Sequence, residues 1–353
     1  MMIMSMLGGL PLIANIVLFG LAACGIWIAG TKLSIYADEI SDRKRIGKAL
    51  MGLIFLASIT ELPELVTTIT AAIEANAALV LNNMFGGIVL QTTILVAADL
   101  VIRQAPLTSY PRNPTPVLEA SFLLILLSLL MAVISIGDAP MFGHVGYGTV
   151  LLALAYAGSL WLLRSIDGNS AAWTPIEIPE ERDQDQSSIW RRGLDDISFS
   201  LLTWRSVAAA AVILFCGVLL VELADTIAQQ SGLGSSFIGV TLLAASTSLP
   251  ELSTTVMAVR LRSYTMAISN IFGSNLIMLV LLLPADVFYA PGPVLAHVDR
   301  SAAFALAAGL LVTIIYVIGL IVRHKRKIFG MGFDSLAVLA VYLVSLIVFY
   351  LIR

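Results

Sequence analysis

The chain has 353 residues, of which 59% are hydrophobic and only 12% charged, with a mean hydropathy of +0.95 and a formal net charge of −3. Soluble globular proteins carry about 25% charged residues, so this composition argues against a soluble enzyme or a nucleic-acid binder and for a chain that crosses a membrane many times. Three His and two Cys are too few for a His/Cys metal cluster or a disulfide framework, and Cys24 and Cys216, both in apolar runs, read as buried free thiols.

The amino-terminal run contains Leu21-Ala22-Ala23-Cys24, which resembles the cleavage box of a bacterial lipoprotein signal. No Lys or Arg occurs before Lys32, whereas such a signal needs a basic start, so a first transmembrane helix is expected instead. Apolar runs follow in order. Those at about 7–29, 47–73, 78–102, 117–136 and 147–164 belong to a first half, 1–164. Those at 204–224, 238–259, 266–288, 301–322 and 333–352 belong to a second, 204–353. Each is near the ~20 residues that span a bilayer as a helix, and β-barrel strands would read as short alternating segments. The expected fold class is therefore all-α integral membrane with ten transmembrane helices. The long polar stretch 165–203 is too short for a folded domain and reads as a cytoplasmic linker.

Cytoplasmic loops are enriched in Lys and Arg. With ten spans, the basic residues around 32–48, 103–112, 164–205, 260–262 and 323–327 all fall on one side, leaving Arg300 and Arg353 on the other. Both termini are then expected outside the cytoplasm, in a cell membrane that suits a prokaryotic inner membrane.

Sliding the chain by 187 positions superposes 57–100 on 244–287 without a gap. The matches include Thr60/Thr247, Leu62-Pro63-Glu64-Leu65/Leu249-Pro250-Glu251-Leu252, Asn83/Asn270, Phe85-Gly86/Phe272-Gly273 and Asp99/Asp286. The register extends upstream through Gly30/Gly217, Asp38/Asp225 and Gly52/Gly239. Apolar helices match by chance at Leu and Ala but hardly at Pro, Glu, Asn and Asp in one frame. With five expected helices between the copies, they enter the membrane from opposite sides, and inverted repeats of this kind are typical of secondary transporters.

Glu64 and Glu251 sit inside apolar runs, where a carboxylate costs at least ~2.5–3.5 kcal/mol. Each follows a proline, which removes a backbone donor and strains the carbonyl four residues back, here Ile59 and Ser246. Freed carbonyls, the Thr60 and Thr247 hydroxyls and two carboxylates make an all-oxygen set suited to a hard cation such as Ca²⁺ or Na⁺.

At these residues the chain resembles the sodium/calcium exchanger family of the cation/Ca²⁺ antiporter superfamily. Each of the family's alpha-repeats reads roughly Gly-Thr-Ser-Leu-Pro-Glu on one helix and Gly-Asn-x-x-Gly-Ser-Asn on the next; here the second repeat reads Ser246-Thr247-Ser248-Leu249-Pro250-Glu251, then Ser269-Asn270-Ile271-Phe272-Gly273-Ser274-Asn275. The likeness covers about 25–100 and 210–290, with alpha-repeats at about 47–102 and 238–288. It implies alternating access, with Ca²⁺ exchanged for Na⁺, or alternatively for H⁺, and no cofactor. The transported Ca²⁺, a monovalent counter-ion and the lipid bilayer are the expected partners. A second alternative is a non-transporting cation-sensing scaffold of the same fold.

Carried over by position, the family's glutamates fall on Glu64 and Glu251 and its threonines on Thr60 and Thr247. Its serine before Leu-Pro-Glu is kept as Ser248 but replaced by Glu61 in the first repeat. The serine of the next helix is kept as Ser274 but becomes Gly87. The Asn or Asp four residues beyond becomes Gln91 and Met278. Glu61 either moves a third acidic ligand across the pseudo-twofold axis or points into a vestibule and recruits cations. Asn83 and Asn270 either link the broken helices or contact the ion. Thr67, Thr68, Thr254 and Thr255 share a helix face with the glutamates and are read as helix–helix hydrogen-bonding groups. Asp99 and Asp286 are expected near the interface or on a proton path. Glu222 is read as a lone gating or packing group. His144, His297 and His324 read as solvated, and the basic run 323–327 as an orientation signal or an anionic-lipid contact.

Overall fold

A computed structural model of the chain describes residues 7–166, 190, 193–194, 196–231 and 245–352. The described chain is almost entirely helical. In order it runs α1 (Leu12–Lys44), α2 (Lys48–Thr60), α3 (Leu62–Ile73), α4 (Ala77–Val101), α5 (Thr115–Ile136) and α6 (Tyr147–Ile166). The second half has α7 (Phe199–Gln230), α8 (Leu249–Arg260), α9 (Tyr264–Phe288), α10 (Arg300–Val322) and α11 (Phe333–Ile352). Two short hairpins, β1 (Pro140–Phe142) with β2 (Val145–Gly146) and β3 (Lys327–Ile328) with β4 (Met331–Gly332), precede α6 and α11.

Among the described residues, eight helices are long and apolar enough to cross a membrane, or nine if α2 and α3, bent by 47°, form one span. Of the expected span 238–259, residues 238–244 lie outside the described residues, as does most of the linker 165–203. Large apolar side chains such as Trp161 and Leu351, both 72% exposed, mark a surface made for lipid. That surface also explains a departure from expectation: Cys24 is exposed and Cys216 half-buried, because α1 and α7 turn apolar faces outward.

Local chemistry sets the helix ends. Asn76, Ser198 and Asp299 cap α4, α7 and α10 by accepting the amides of Leu79, Leu201 and Ala302, which satisfies donors that a helix start leaves orphaned. The first helix runs well past the expected residue 29, because its charged end is held: Arg43 pairs with Glu39 at 2.6 Å and donates to the Leu194 and Ile197 carbonyls at 2.7 Å each. Asp38, fully buried, pairs with Lys48 at 2.6 Å and accepts from Ser263, tying α1 and α2 to the start of α9.

Two glycines decide how closely the halves approach. Gly52 lies in a π-helical stretch of α2, Met51–Leu56, and a Cβ there would come within 2.9 Å of the Asn270 backbone nitrogen on α9. Gly273 of α9 reciprocates, since its Cβ would meet the Leu53 carbonyl oxygen at 2.6 Å. A second crossed pair links Gly30 of α1 to Ser253 of α8 and Gly217 of α7 to Pro63 of α3.

Asp99 and Asp286 lie near the C-terminal ends of α4 and α9. Both are fully buried, and their carboxylates hold backbone amides of the loops and hairpins at the ends of the bundle. The basic run is likewise partly committed to protein: Arg323 donates to the Pro111 and Ser109 carbonyls, and Lys327 to those of Asp99 and Ile102. His297 and His324 are exposed, whereas His144 is half-buried with Nε2 2.9 Å from the Val287 carbonyl.

Candidate cation-binding site

The break between α2 and α3 builds one side of the site. Pro63 has no N–H to continue the helix, the backbone turns at Glu61 with φ −80° and ψ 0° between α2 and α3, and Glu64 lands in the first turn of α3. The second repeat does the same at Ser248, with φ −91° and ψ 5°, and places Glu251 in the first turn of α8. Carboxylates in the first turn of a helix are favoured by its dipole and free amides, which partly offsets burial.

Burial is nonetheless severe. Glu61, Glu64 and Glu251 are 2%, 1% and 0% exposed, and no cationic side chain pairs with any of them among the described residues. They lie close enough together to repel: Glu64 feels the charge of Glu251 and Glu61, and Glu251 that of Glu61. Both oxygens of Glu64 and of Glu251 have no hydrogen-bond partner, nor do Glu61 Oε2, Gln91 Oε1, Asn270 Oδ1 and Asn275 Oδ1. Native proteins leave few such groups unmet. A concentration of bare oxygens around carboxylates is what a cation would satisfy. No three His, Cys, Asp or Glu side chains among the described residues stand at the spacing of a closed metal cage, so the set has to be completed by neutral oxygens.

The neutral groups come from four helices. Thr60 Oγ1, at the end of α2, lies 3.4 Å from Ser274 Oγ on α9, a cross-half approach made possible by the glycine contacts just described. Gln91 on α4 donates from Nε2 to Glu61 Oε1 at 2.6 Å. Asn270 donates from Nδ2 to the Thr254 and Thr255 hydroxyls at 3.0 Å each, so it links α9 to α8 while its own oxygen stays bare. Thr254 in turn donates to the Pro250 and Glu251 carbonyls of its own helix, so Thr254 and Thr255 link helices by accepting from Asn270. Thr247 and Ser248 are buried at the second break. Asn83 is only half-buried; with Thr67, Thr68 and Thr247 it lines a cavity of about 50 Å³. Glu222 on α7 is half-buried, and its Oε2 lacks a partner.

Asn275 was not singled out from the sequence, although it closes the Gly-Ser-Asn motif. The structure buries it fully, with Nδ2 donating to Thr92 Oγ1 of α4 at 2.9 Å and Oδ1 bare.

The family model for the sodium/calcium exchanger protein matches the chain twice, over residues 14–164 and 201–351. The chain belongs to that family. Both matches start and end 187 positions apart, the period of the internal repeat, and they place the chain among membrane antiporters of the cation/Ca²⁺ type. The putative antiporter CaxA of Alkalimonas amylolytica is 24% identical over 304 residues, 85% of this chain and 88% of its own. The inner membrane protein YrbG of Escherichia coli is 24% identical, over 78% of this chain and 82% of its own. The sodium/calcium exchanger MaX1 of Methanosarcina acetivorans is 31% identical over 112 residues, 32% of this chain and 31% of its own. Among solved structures, the sodium-calcium exchanger NCX_Mj soaked with 10 mM Na⁺ and zero Ca²⁺ has the same fold, with a TM-score of 0.68 at 18% identity, over 96% of this chain and 99% of that one.

Proposed function

We propose that this family member exchanges Ca²⁺ for Na⁺ by alternating access, with ten spans in two five-helix halves of inverted topology. Ca²⁺ is held between Glu64 and Glu251, and the hydroxyls of Thr60, Thr247, Ser248 and Ser274 complete its oxygen shell. Na⁺ uses overlapping oxygens, so the two ions occupy the centre in turn. One observation carries this reading: each repeat puts a fully buried carboxylate, with no protein cation paired to it among the described residues, at the broken end of a helix. Leaving such a pair charged and uncompensated costs several kcal/mol per ion, so the site is stable with a bound cation or with protons on the carboxylates. The family supports the cargo class, and the relative named as an inner membrane protein supports a prokaryotic inner membrane, with both termini outside the cytoplasm.

A second reading, exchange of Ca²⁺ for H⁺, is favoured by Gly87 and Met278, which present no strong oxygen where the resemblance leads one to expect ligands. Reconstitution into proteoliposomes separates the two. ⁴⁵Ca²⁺ uptake driven by an outward Na⁺ gradient, and lost in Glu64→Gln/Glu251→Gln protein, is the expected result. Uptake driven only by an outward proton gradient selects the second reading. Ca²⁺-dependent thermal stabilisation without flux under either gradient would leave a cation-sensing scaffold and overturn transport.

A further inference from the structure

Each half carries one hairpin, and the 187-residue register matches the exposed apolar residues around the two. Ile328 and Phe329 of the β3–β4 hairpin are 42% and 84% exposed, and Leu100 and Val101 at the end of α4 are exposed as well. So are their counterparts, Met141 and Phe142 on the β1–β2 hairpin and Val287 and Phe288 at the end of α9. Both hairpins sit on those helix ends. An added Cβ on Gly330, in the β3–β4 turn, would lie 3.7 Å from Leu100 Cδ2, and His144 Nε2 lies 2.9 Å from the Val287 carbonyl.

The second aromatic tip is held against its backbone preference. Phe329 and Gly330 make the two-residue turn between β3 and β4 with φ 53° and 81°, a left-handed pair that Gly, Asn and Asp adopt readily and a bulky side chain does not. Asp99 fastens the hairpin by accepting the Gly332 amide, and Lys327 donates to the Asp99 and Ile102 carbonyls. The hairpin is thereby fixed with its ring outside. An exposed aromatic at the ends of membrane helices suits the boundary between headgroups and acyl chains.

Charge separates the two ends. Lys327 brings its neighbour Arg326 to the end of α4, where Arg103 follows Ile102. Both arginines are exposed, and neither has a carboxylate partner among the described residues. In the register the matching positions at the other end are Ala139 and Ala290. A guanidinium meets phosphate oxygens with paired donors, and each basic side chain at a membrane surface favours anionic lipid by about five-fold.

We propose that the β3–β4 end of the bundle binds an anionic phospholipid, with Arg103 and Arg326 on its phosphate and Ile328 and Phe329 among the upper acyl-chain carbons. The β1–β2 end, with the same apolar residues and no matching arginines, meets the bilayer without selecting charge. The site lies away from the ion-binding centre and does not depend on which ions are exchanged.

The test is native mass spectrometry of the purified full chain in detergent, titrated with phosphatidylglycerol or phosphatidylcholine of identical acyl chains. The first phosphatidylglycerol should bind about 25-fold tighter than the first phosphatidylcholine, from two five-fold contributions. Arg103→Gln/Arg326→Gln should bring the two lipids to nearly equal affinity. Each single variant should lose about five-fold, and these serve if the double variant does not fold. Arg103→Lys/Arg326→Lys should keep most of the preference, whereas Phe329→Ser should weaken phosphatidylglycerol with the arginines in place. Ala139→Arg/Ala290→Arg should add a second tight phosphatidylglycerol at the other end. No preference in the parent, or one that survives both glutamine substitutions together, overturns the site. Displacement of the lipid by excess inorganic phosphate, with binding indifferent to Phe329→Ser, would mean a free-phosphate site and overturn the lipid reading.

Discussion

Asp99 and Asp286, related by the 187-residue repeat, each fasten the hairpin of the opposite half. Asp99 Oδ2 accepts the Gly332 amide at 2.5 Å, and Asp286 Oδ2 accepts the Gly146 amide at 2.7 Å. Their other oxygens accept the amides of Leu107 and Val294, eight residues further along, at 2.8 and 2.7 Å. Lys327 adds an ion pair to Asp99 at 3.3 Å, and Thr149 a hydroxyl to Asp286 at 2.7 Å. The pair is a crossed brace at the two ends of the bundle, which keeps each hairpin seated against the helices of the other half.

Removing the brace should therefore cost stability before transport. Asp286→Ala strands two buried amides and a hydroxyl, at about 1–3 kcal/mol for each unmet group. Asp286→Asn keeps one good acceptor and should lose less. Melting followed by tryptophan fluorescence in detergent should rank parent, Asn and Ala in that order, with uptake per folded molecule kept in the Asn variant. An Asn variant as stable as the parent but without flux would mean that the carboxylate itself carries protons.

Glu64→Gln and Glu251→Gln should behave in the opposite way. Each removes one of the mutually repelling buried carboxylates, so the ion-free protein should melt at or above the parent temperature. Ca²⁺ should no longer raise that temperature, and uptake should fall by about 100-fold or more, as expected when breaking a buried charged pair costs about 3–5 kcal/mol. A variant that melts far below the parent without ions would show that these carboxylates hold the fold together through contacts of their own.

Much of this was legible in the sequence, and what was not has a physical reason. Apolar runs and the repeat located most of the described helices, because lipid imposes a composition that soluble packing does not. The Leu-Pro-Glu breaks were legible because proline cannot donate. The extension of α1 to Lys44 was not, since it depends on Arg43 reaching carbonyls about 150 residues away. The role of Asp99 and Asp286 was missed for the same reason: their partners are backbone amides, which carry no residue-type signal. Gly87 and Met278 were each visible as departures, but only packing between helices shows that one fills the space of the other.

The glycine contacts give a sharper test of how the halves meet. At Gly273 an added Cβ would lie 2.6–2.7 Å from backbone atoms of Leu53, and backbone cannot swing aside as a side-chain tip does. Gly273→Ala should push α2 from α9, cost about 1–3 kcal/mol as overpacking does, and part Thr60 from Ser274, so both stability and Ca²⁺ affinity should fall. Gly158→Ala, on the exposed face of α6, should be neutral or slightly stabilising, since Ala favours a helix by about 1 kcal/mol over Gly. Equal effects in the two variants would mean that the close approach of α2 and α9 does not shape the site.

Asn270 separates helix linking from ion contact, because its two ends do different things. Its Nδ2 satisfies Thr254 and Thr255 across the α8–α9 boundary, while its Oδ1 is buried and bare. Asn270→Ala should lower the melting temperature of the ion-free protein by an amount worth about 1–3 kcal/mol, the cost of leaving buried polar groups unmet. It should also shrink the further rise that Ca²⁺ produces, since the orphaned oxygen goes with the amide. Thr254→Val/Thr255→Val removes only the linking partners, so it should lower the ion-free melting temperature and leave the Ca²⁺ increment at its parent size. If Asn270→Ala also leaves that increment untouched, the side chain serves packing alone, and the oxygen shell must be closed from Thr247 and Ser248 at the second helix break.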